Sequence, residues 1–221
     1  MLFRSQIEMR IFAHFADEQS MIQAIHNGVD LHTATAQGVF HTDTPSKAQR
    51  SISKNANFAK VYGAGVPKFA LTARISEDEA QQFMDAYNAR FPGVEAFAQQ
   101  VISVARTRKQ TEGRAYVRAP SGRIHAVYSE DDAYKTVNYL VQGTAADVFK
   151  QALVRLDAHG LTQYLRLPIH DEVIMEVPEA EVEEVRNLLP ELMEDHTSFK
   201  VPIVVDVDEP ADRWGQWYAQ G

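Results

Sequence analysis

Two periodicities organise this chain, one close to 3.6 residues and one of 2. Residues 6–27 read as an amphipathic helical region, with Ile7, Ile11, Phe15, Ile22 and Ile25 as core candidates. A longer helix is predicted from Thr44 to Gly63: Thr44 suits a cap, Pro45 the first position and Gly63 the end. Ser76-Glu-Asp-Glu79 has the pattern of a capping box and opens a helix to about Arg90. Pro92-Gly93 breaks it, and a second helix runs to about Lys109, ahead of Gly113. Residues 115–128 alternate apolar and polar around Pro120-Ser-Gly122, which predicts a hairpin. A long helix follows from Asp131 to about His159. Residues 163–177 then give an apolar strand, the polar tip His170-Asp171-Glu172 and a second apolar strand. A helix of about 179–196 and a last strand, Val201–Val207, precede Trp214 and Trp217. Helices mixed with antiparallel hairpins predict an α+β fold.

Candidate chemistry concentrates in the helix of residues 44–63. Arg50, Lys54, Phe58 and Tyr62 recur every four residues, so each lies about 40° further round the helix than the one before. Two cations followed by two aromatics suit a ligand with a highly charged end and a flat end, such as a nucleoside triphosphate. A solvated basic turn followed by two core aromatics has the same pattern. Charge separates the two readings. The 221-residue chain has net charge −8, yet residues 44–76 hold six Lys or Arg and no Asp or Glu. Residues 96–129 hold six more (Arg106, Arg108, Lys109, Arg114, Arg118 and Arg123) against Glu112. Local basic surface, rather than net charge, binds phosphates.

A chain of this length buries one sizeable core, which two subdomains can share. With no cysteine, disulfides, thiolate metal sites and cysteine nucleophiles are excluded, and a cytoplasmic setting is expected. No apolar run is long enough to span a bilayer, so no membrane partner is expected.

Arg50-x3-Lys54-x3-Phe58-x3-Tyr62-Gly63 resembles motif B of family A (DNA polymerase I-like) DNA polymerases. The resemblance implies that Arg50 and Lys54 hold the triphosphate of an incoming deoxynucleotide and that Phe58 packs on its sugar and base. Tyr62 would sit at the insertion site. Asp30-Leu-His32-Thr resembles a further family segment whose histidine approaches the triphosphate, here His32. "NYLVQGTAAD", residues 138–147, resembles a palm signature and implies that Asn138 and Gln142 contact primer–template DNA. Small residues around Gly143 suit close helix packing equally well. His170-Asp171-Glu172 resembles motif C. There Asp171 would hold Mg²⁺, a hard ion that takes carboxylate and phosphate oxygens. Glu172 would assist from behind, and His170 would face the primer end. A tight hairpin would place both carboxylates at a tip reached by water and cations. Arg118 and Arg123 flank the other hairpin turn, where phosphate contact and simple solubility both fit.

The resemblance covers nearly the whole chain. It implies a start of the palm in residues 1–30, a mainly helical fingers subdomain in 31–113, and a palm with a small antiparallel sheet and motif C in 114–221. The implied reaction is attack of a primer 3′-hydroxyl on the α-phosphate, assisted by two Mg²⁺ ions. One departure matters. Residues 1–10 resemble the tail of motif A, with Ser5, Gln6 and Glu8 in place, Gln6 and Glu8 being expected near the incoming nucleotide. Phe3 stands where the metal-binding Asp of that motif belongs. A lone chain is therefore expected to be inactive or nearly so. A second polypeptide carrying thumb and motif A, an upstream coding region, and a non-catalytic nucleotide- or DNA-binding remnant are the three readings of this gap.

Overall fold

The computed structural model describes residues 7–217, without the side chains of Trp214 and Trp217. Phe3, Ser5 and Gln6 lie outside the described residues. The fold is α+β. Helix α1 (Ile7–Ala16) ends where Asp17 turns into the left-handed region, and α2 (Gln19–His26) begins again behind the side chain of Glu18. The first apolar region is thus two helices. Ile7, Ile11, Ile22 and Ile25 are buried as expected, and Phe15 is half-buried.

Helix α3 (Leu31–Phe40) is capped by Asp30, whose carboxylate accepts from the Thr33 N–H at 2.8 Å. Helix α4 (Lys47–Tyr62) starts two residues later than Thr44 and Pro45 suggested. Ser46 and Gln49 cap each other's backbone N–H groups reciprocally, at 3.2 and 2.8 Å. That reciprocal pair satisfies two donors, which a lone Thr44 cap does not. Gly63 ends α4 at φ 65°, where a side chain would meet the Tyr134 ring. Helix α5 (Val66–Ala73) follows at once, and α6 (Glu77–Arg90) opens on the Ser76–Glu79 capping box that the sequence predicts. Helices α3 to α6 pack pairwise, with Phe40 and Phe69 each against Phe83 at ring separations of 5.5 and 5.6 Å.

Helix α7 (Pro92–Glu112) begins at Pro92 and ends at a left-handed Gly113. The Gly93 N–H donates to Glu18 at 3.0 Å, so one buried carboxylate serves the starts of both α2 and α7. Phe97 of α7 meets Phe12 and Phe15 of α1, and Lys60 of α4 pairs with Glu95 at 2.9 Å. Strands β1 (Ala115–Arg118) and β2 (Ile124–Val127) form the first hairpin in antiparallel register, and Gly122 takes a positive φ in its turn. A 3₁₀ turn, Asp131–Tyr134, leads into α8 (Lys135–Ala158). This helix touches α1, α4, α7 and the first hairpin, and is the element on which the others converge. Strands β3 (Leu165–Ile169) and β4 (Glu172–Met175) form the second hairpin. Among the described residues the two hairpins are separate antiparallel two-stranded sheets.

The C-terminal expectations are corrected in two places. The helix after the second hairpin is a short 3₁₀ turn, Glu179–Glu181, continuing as α9 (Val182–Met193), which packs on α8. Residues 201–207 keep the period of two, with Val201, Ile203 and Val205 buried, and pair through isolated bridges at Ile203, opposite Asp195, and at Asp206, with no named strand among the described residues. Side chains take up further backbone groups here. Arg10 donates to the Pro202 carbonyl at 2.9 Å, His14 accepts from the Lys200 N–H at 3.0 Å, and Glu194 accepts from the Val205 N–H at 3.0 Å.

Candidate active site

Helix α4 buries Ser53, Ala56, Asn57, Ala59 and Val61, which turns the opposite stripe outward. Arg50 and Lys54 are exposed, Phe58 is half-buried, and Tyr62 is 43% exposed. The stripe is continuous: the Lys54 ammonium lies 6.0 Å from the Phe58 ring centre, and Phe58 lies 6.2 Å from Tyr62. Beside it stands His32, whose ring is 5.7 Å from Phe58. Asp30 caps α3 and also grips Arg50, accepting from Nε and Nη2 at 3.0 Å each. Sequence reading gave Asp30 no role, although an Asp three residues before a Thr at a helix start is a visible cap signal.

Below the aromatic end of the stripe opens a cleft of about 620 Å³. Its walls include Glu8 of α1, Phe58 and Tyr62 of α4, Gln142 of α8, and His170 and Asp171 at the tip of the second hairpin. Four stretches far apart in sequence thus meet in one cleft. Gln142 bridges them, donating through Nε2 to Glu8 at 3.1 Å and to the Tyr62 hydroxyl at 3.2 Å, while Tyr62 donates to Glu8 at 3.4 Å.

The electrostatics of the cleft follow from burial. Desolvation pushes the Glu8 carboxyl above its ordinary value, the bonds from Gln142 and Tyr62 oppose this, and the charge of Asp171 adds to it. Desolvation likewise raises Asp171, against its own backbone N–H and His170. His170 holds φ 52°, a left-handed conformation at the hairpin turn, and is exposed. Because the folded state raises the Glu8 pKa, the charged carboxylate costs stability above that pKa, and the cost fades as pH falls through it. Glu8→Gln is therefore expected to raise stability at pH 7.5, with the gain shrinking towards pH 4.5. Urea denaturation at both pH values checks this, and a variant less stable than the parent at pH 7.5 would refute it.

Four expected site residues sit elsewhere or are otherwise engaged. Glu172 begins β4 with 7% exposure, so the second carboxylate faces the interior and not a wet tip. Asn138 is 9% exposed, and its Nδ2 has no partner among the described residues. Arg123 is clamped by Asp147 of α8 at 2.7 and 2.8 Å, and Ser121 donates to the same carboxylate. The clamp ties the first hairpin to α8. Arg118 is exposed and donates to the Gly122 carbonyl at 2.9 Å.

A divalent cation would find Asp171 in the cleft, half-buried and with its carboxyl raised, a state that positive charge relieves. Among the described residues, however, no three His, Asp or Glu side chains gather as a metal-binding group. The described residues fit one carboxylate of the implied pair and not a complete two-ion centre.

A helical layer thus presents two cations and two aromatics over a cleft with an acidic floor. The chain belongs to DNA polymerase family A, whose family model matches residues 4–216. It is 35% identical over 212 residues to DNA polymerase I of Geobacillus stearothermophilus, covering 91% of this chain and 24% of that protein. It is 34% identical over 214 residues to the DNA polymerase of Mycobacterium phage L5, covering 96% of this chain and 33% of that protein. The chain thus spans about a quarter to a third of the length of the curated relatives it matches. A solved structure of the POL domain of Pol1 from M. smegmatis, in complex with DNA primer-template and dNTP, superimposes with a TM-score of 0.77 at 30% identity. That match covers 90% of this chain and 36% of that one. No helix among the described residues is long and apolar enough to cross a membrane.

Proposed function

We infer that this chain is the nucleotide-binding and primer-end portion of a DNA-directed DNA polymerase. It would act in template-directed transfer of deoxynucleotides to a primer 3′-hydroxyl, with release of pyrophosphate. The observation that carries this reading is the cleft itself: Glu8, Phe58, Tyr62, Gln142, His170 and Asp171 converge there from four separate stretches. Residues 31–113 would act as fingers, and residues 114–221 with the start of the chain as palm.

Arg50 and Lys54 lie at the charged end of the stripe, one turn apart, and would neutralise a triphosphate. Phe58 and Tyr62 would offer flat surfaces to sugar and base. Glu8, held by Gln142 and Tyr62, would close the cleft beside the sugar and crowd a 2′-hydroxyl. Gln142 and the exposed His170 would meet primer–template DNA, with Asn138, Arg118 and Arg123 along its path. Asp171 would hold Mg²⁺, which in such sites lowers the pKa of the attacking hydroxyl and stabilises the leaving oxygen. Glu172, buried behind it, would support the hairpin. We place the other metal-binding carboxylate outside residues 7–217, with a second polypeptide carrying thumb and motif A as one source.

The test is Mg²⁺-dependent primer extension by the 221-residue chain, alone and with a supplied fragment containing thumb and motif A. Extension only with the fragment supports the reading. Extension by the chain alone overturns the need for an outside carboxylate. Nucleotide binding without extension in either case favours a non-catalytic remnant.

The resemblance also sets a sugar preference. With Phe58 packed on the sugar, an active assembly should discriminate against dideoxynucleotides, and Phe58→Tyr should relax this by about a hundredfold, as expected when a buried hydroxyl replaces a missing one. Competitive incorporation of dATP and dideoxy-ATP measures it. Equal use of both by the parent would place Phe58 away from the sugar.

A further inference from the structure

Behind the nucleotide-facing stripe lies a buried polar chain that the catalytic reading leaves unused. Asn57, on the inner face of α4, donates through Nδ2 to Thr35 Oγ1 at 3.0 Å and approaches His32 Nδ1 at 3.0 Å. The Tyr87 hydroxyl of α6 donates to Asn57 Oδ1 at 2.9 Å. His32, Thr35, Asn57 and Tyr87 are each at most 2% exposed, so each hydrogen bond is made without competing water.

The donors can be assigned by elimination. The Thr35 hydroxyl has two acceptors in reach, the Leu31 carbonyl at 2.8 Å and Asn57 Oδ1 at 3.2 Å, and gives its single proton to the nearer. Towards Asn57 it then accepts, from Nδ2 at 3.0 Å. The same NH₂ faces His32 Nδ1, which therefore accepts, and the imidazole proton lies on Nε2. The donation from Tyr87 to Oδ1 fits the same orientation.

We propose that Asn57, braced by Thr35 and Tyr87, is a positioning residue that fixes His32 as a neutral Nε2–H donor for the phosphates of a bound nucleotide. This rests on the nucleotide-binding reading of α4. The charged groups facing His32 are Asp30 on its own element and Arg50 and Lys54 on α4, while α6 contributes only the Tyr87 hydroxyl, through Asn57. Desolvation leads in pushing the imidazole down to about 4, helped by Arg50 and Lys54 and opposed by Asp30. A neutral donor beside two fixed cations keeps the same hydrogen-bonding character across pH 5 to 8. An ordinary histidine there would change its charge within that range.

The experiment uses the 221-residue chain with ¹⁵N-labelled histidine, the His32 signals being assigned by their loss in His32→Gln. Long-range ¹H–¹⁵N spectra should show a neutral Nε2–H tautomer from pH 5 to 8, and dATP should shift those signals. In Asn57→Asp the donor facing Nδ1 is replaced by an anionic acceptor, so the proton moves to Nδ1 and the imidazole charges near neutrality. Affinity for dATP, relative to the parent at each pH, should then be about fivefold tighter at pH 5.5 than at pH 8, the gain of a charge-assisted over a neutral bond. Tyr87→Phe, which leaves the Asn57–His32 contact in place, should keep the tautomer and guards against misfolding of the first variant. A parent Nδ1–H tautomer, or titration near pH 6.5, overturns the proposal. The expected tautomer with dATP bound but His32 signals unmoved overturns its phosphate-facing half. The expected tautomer without any dATP binding removes the nucleotide reading and with it the ligand assigned to His32.

Discussion

Replacing Asp171 with asparagine is expected to slow primer extension by about 10³-fold or more in an assembly that otherwise extends primers. Its carboxylate is the one that the second hairpin delivers to the cleft, and the cleft half-buries it. Stabilising charge at a phosphoryl centre contributes several kcal/mol, and about 4 kcal/mol corresponds to about 10³ in rate. Stability should move the other way. Desolvation raises the Asp171 carboxyl, so the folded state holds a charge it would be rid of at neutral pH, and the amide removes that cost. Loss of rate with unchanged or higher stability marks a carboxylate kept for chemistry. Single-turnover extension and thermal unfolding of the same preparation read both. A rate within about tenfold of the parent would remove Asp171 from the reaction.

Lys54→Ala is expected to lower kcat by about 10²- to 10³-fold, the cost of removing one preorganised charge from a transition state. Arg50→Ala should act more on KM. The difference lies in their surroundings. Arg50 is held in place by Asp30 through two contacts at 3.0 Å, part of its charge already compensated. Lys54 sits one turn closer to the cleft, over the Phe58 ring at 6.0 Å from its centre. Steady-state kinetics of the two variants in the active assembly separate the cases. Equal effects on KM with kcat unchanged would make both residues simple ground-state binders.

Features set by local chemistry were legible in the sequence. The Ser76–Glu79 box, the glycine ends at Gly63 and Gly113, and both hairpins emerge where pattern and turn residues place them. The Arg50–Tyr62 stripe was legible too, because the buried face of α4 is marked by small residues on the other side. Features set by tertiary partners were not. Helix α3 has no clear apolar stripe, and its Gly38 lies against Arg90 of α6, a contact that no local pattern announces. The alternation of residues 201–207 marks burial, while their pairing among the described residues is confined to bridges at Ile203 and Asp206. Glu172 and Asn57 carry ordinary polar letters. Only the packing of neighbouring elements puts one behind the hairpin and the other behind His32.

The clamp between Arg123 and Asp147 has a further consequence for the solution behaviour of the chain. Twelve basic residues in the two cationic stretches, each releasing a counterion on DNA, would give log affinity a slope of roughly −11 against log salt. Arg123, Arg50 and Lys60 already spend their charge on Asp147, Asp30 and Glu95. The ion atmosphere of DNA has correspondingly fewer cations to exchange with, and the slope should not exceed about −8. Attachment to a duplex would then weaken less steeply on going from dilute buffer to cellular ionic strength than the residue count implies.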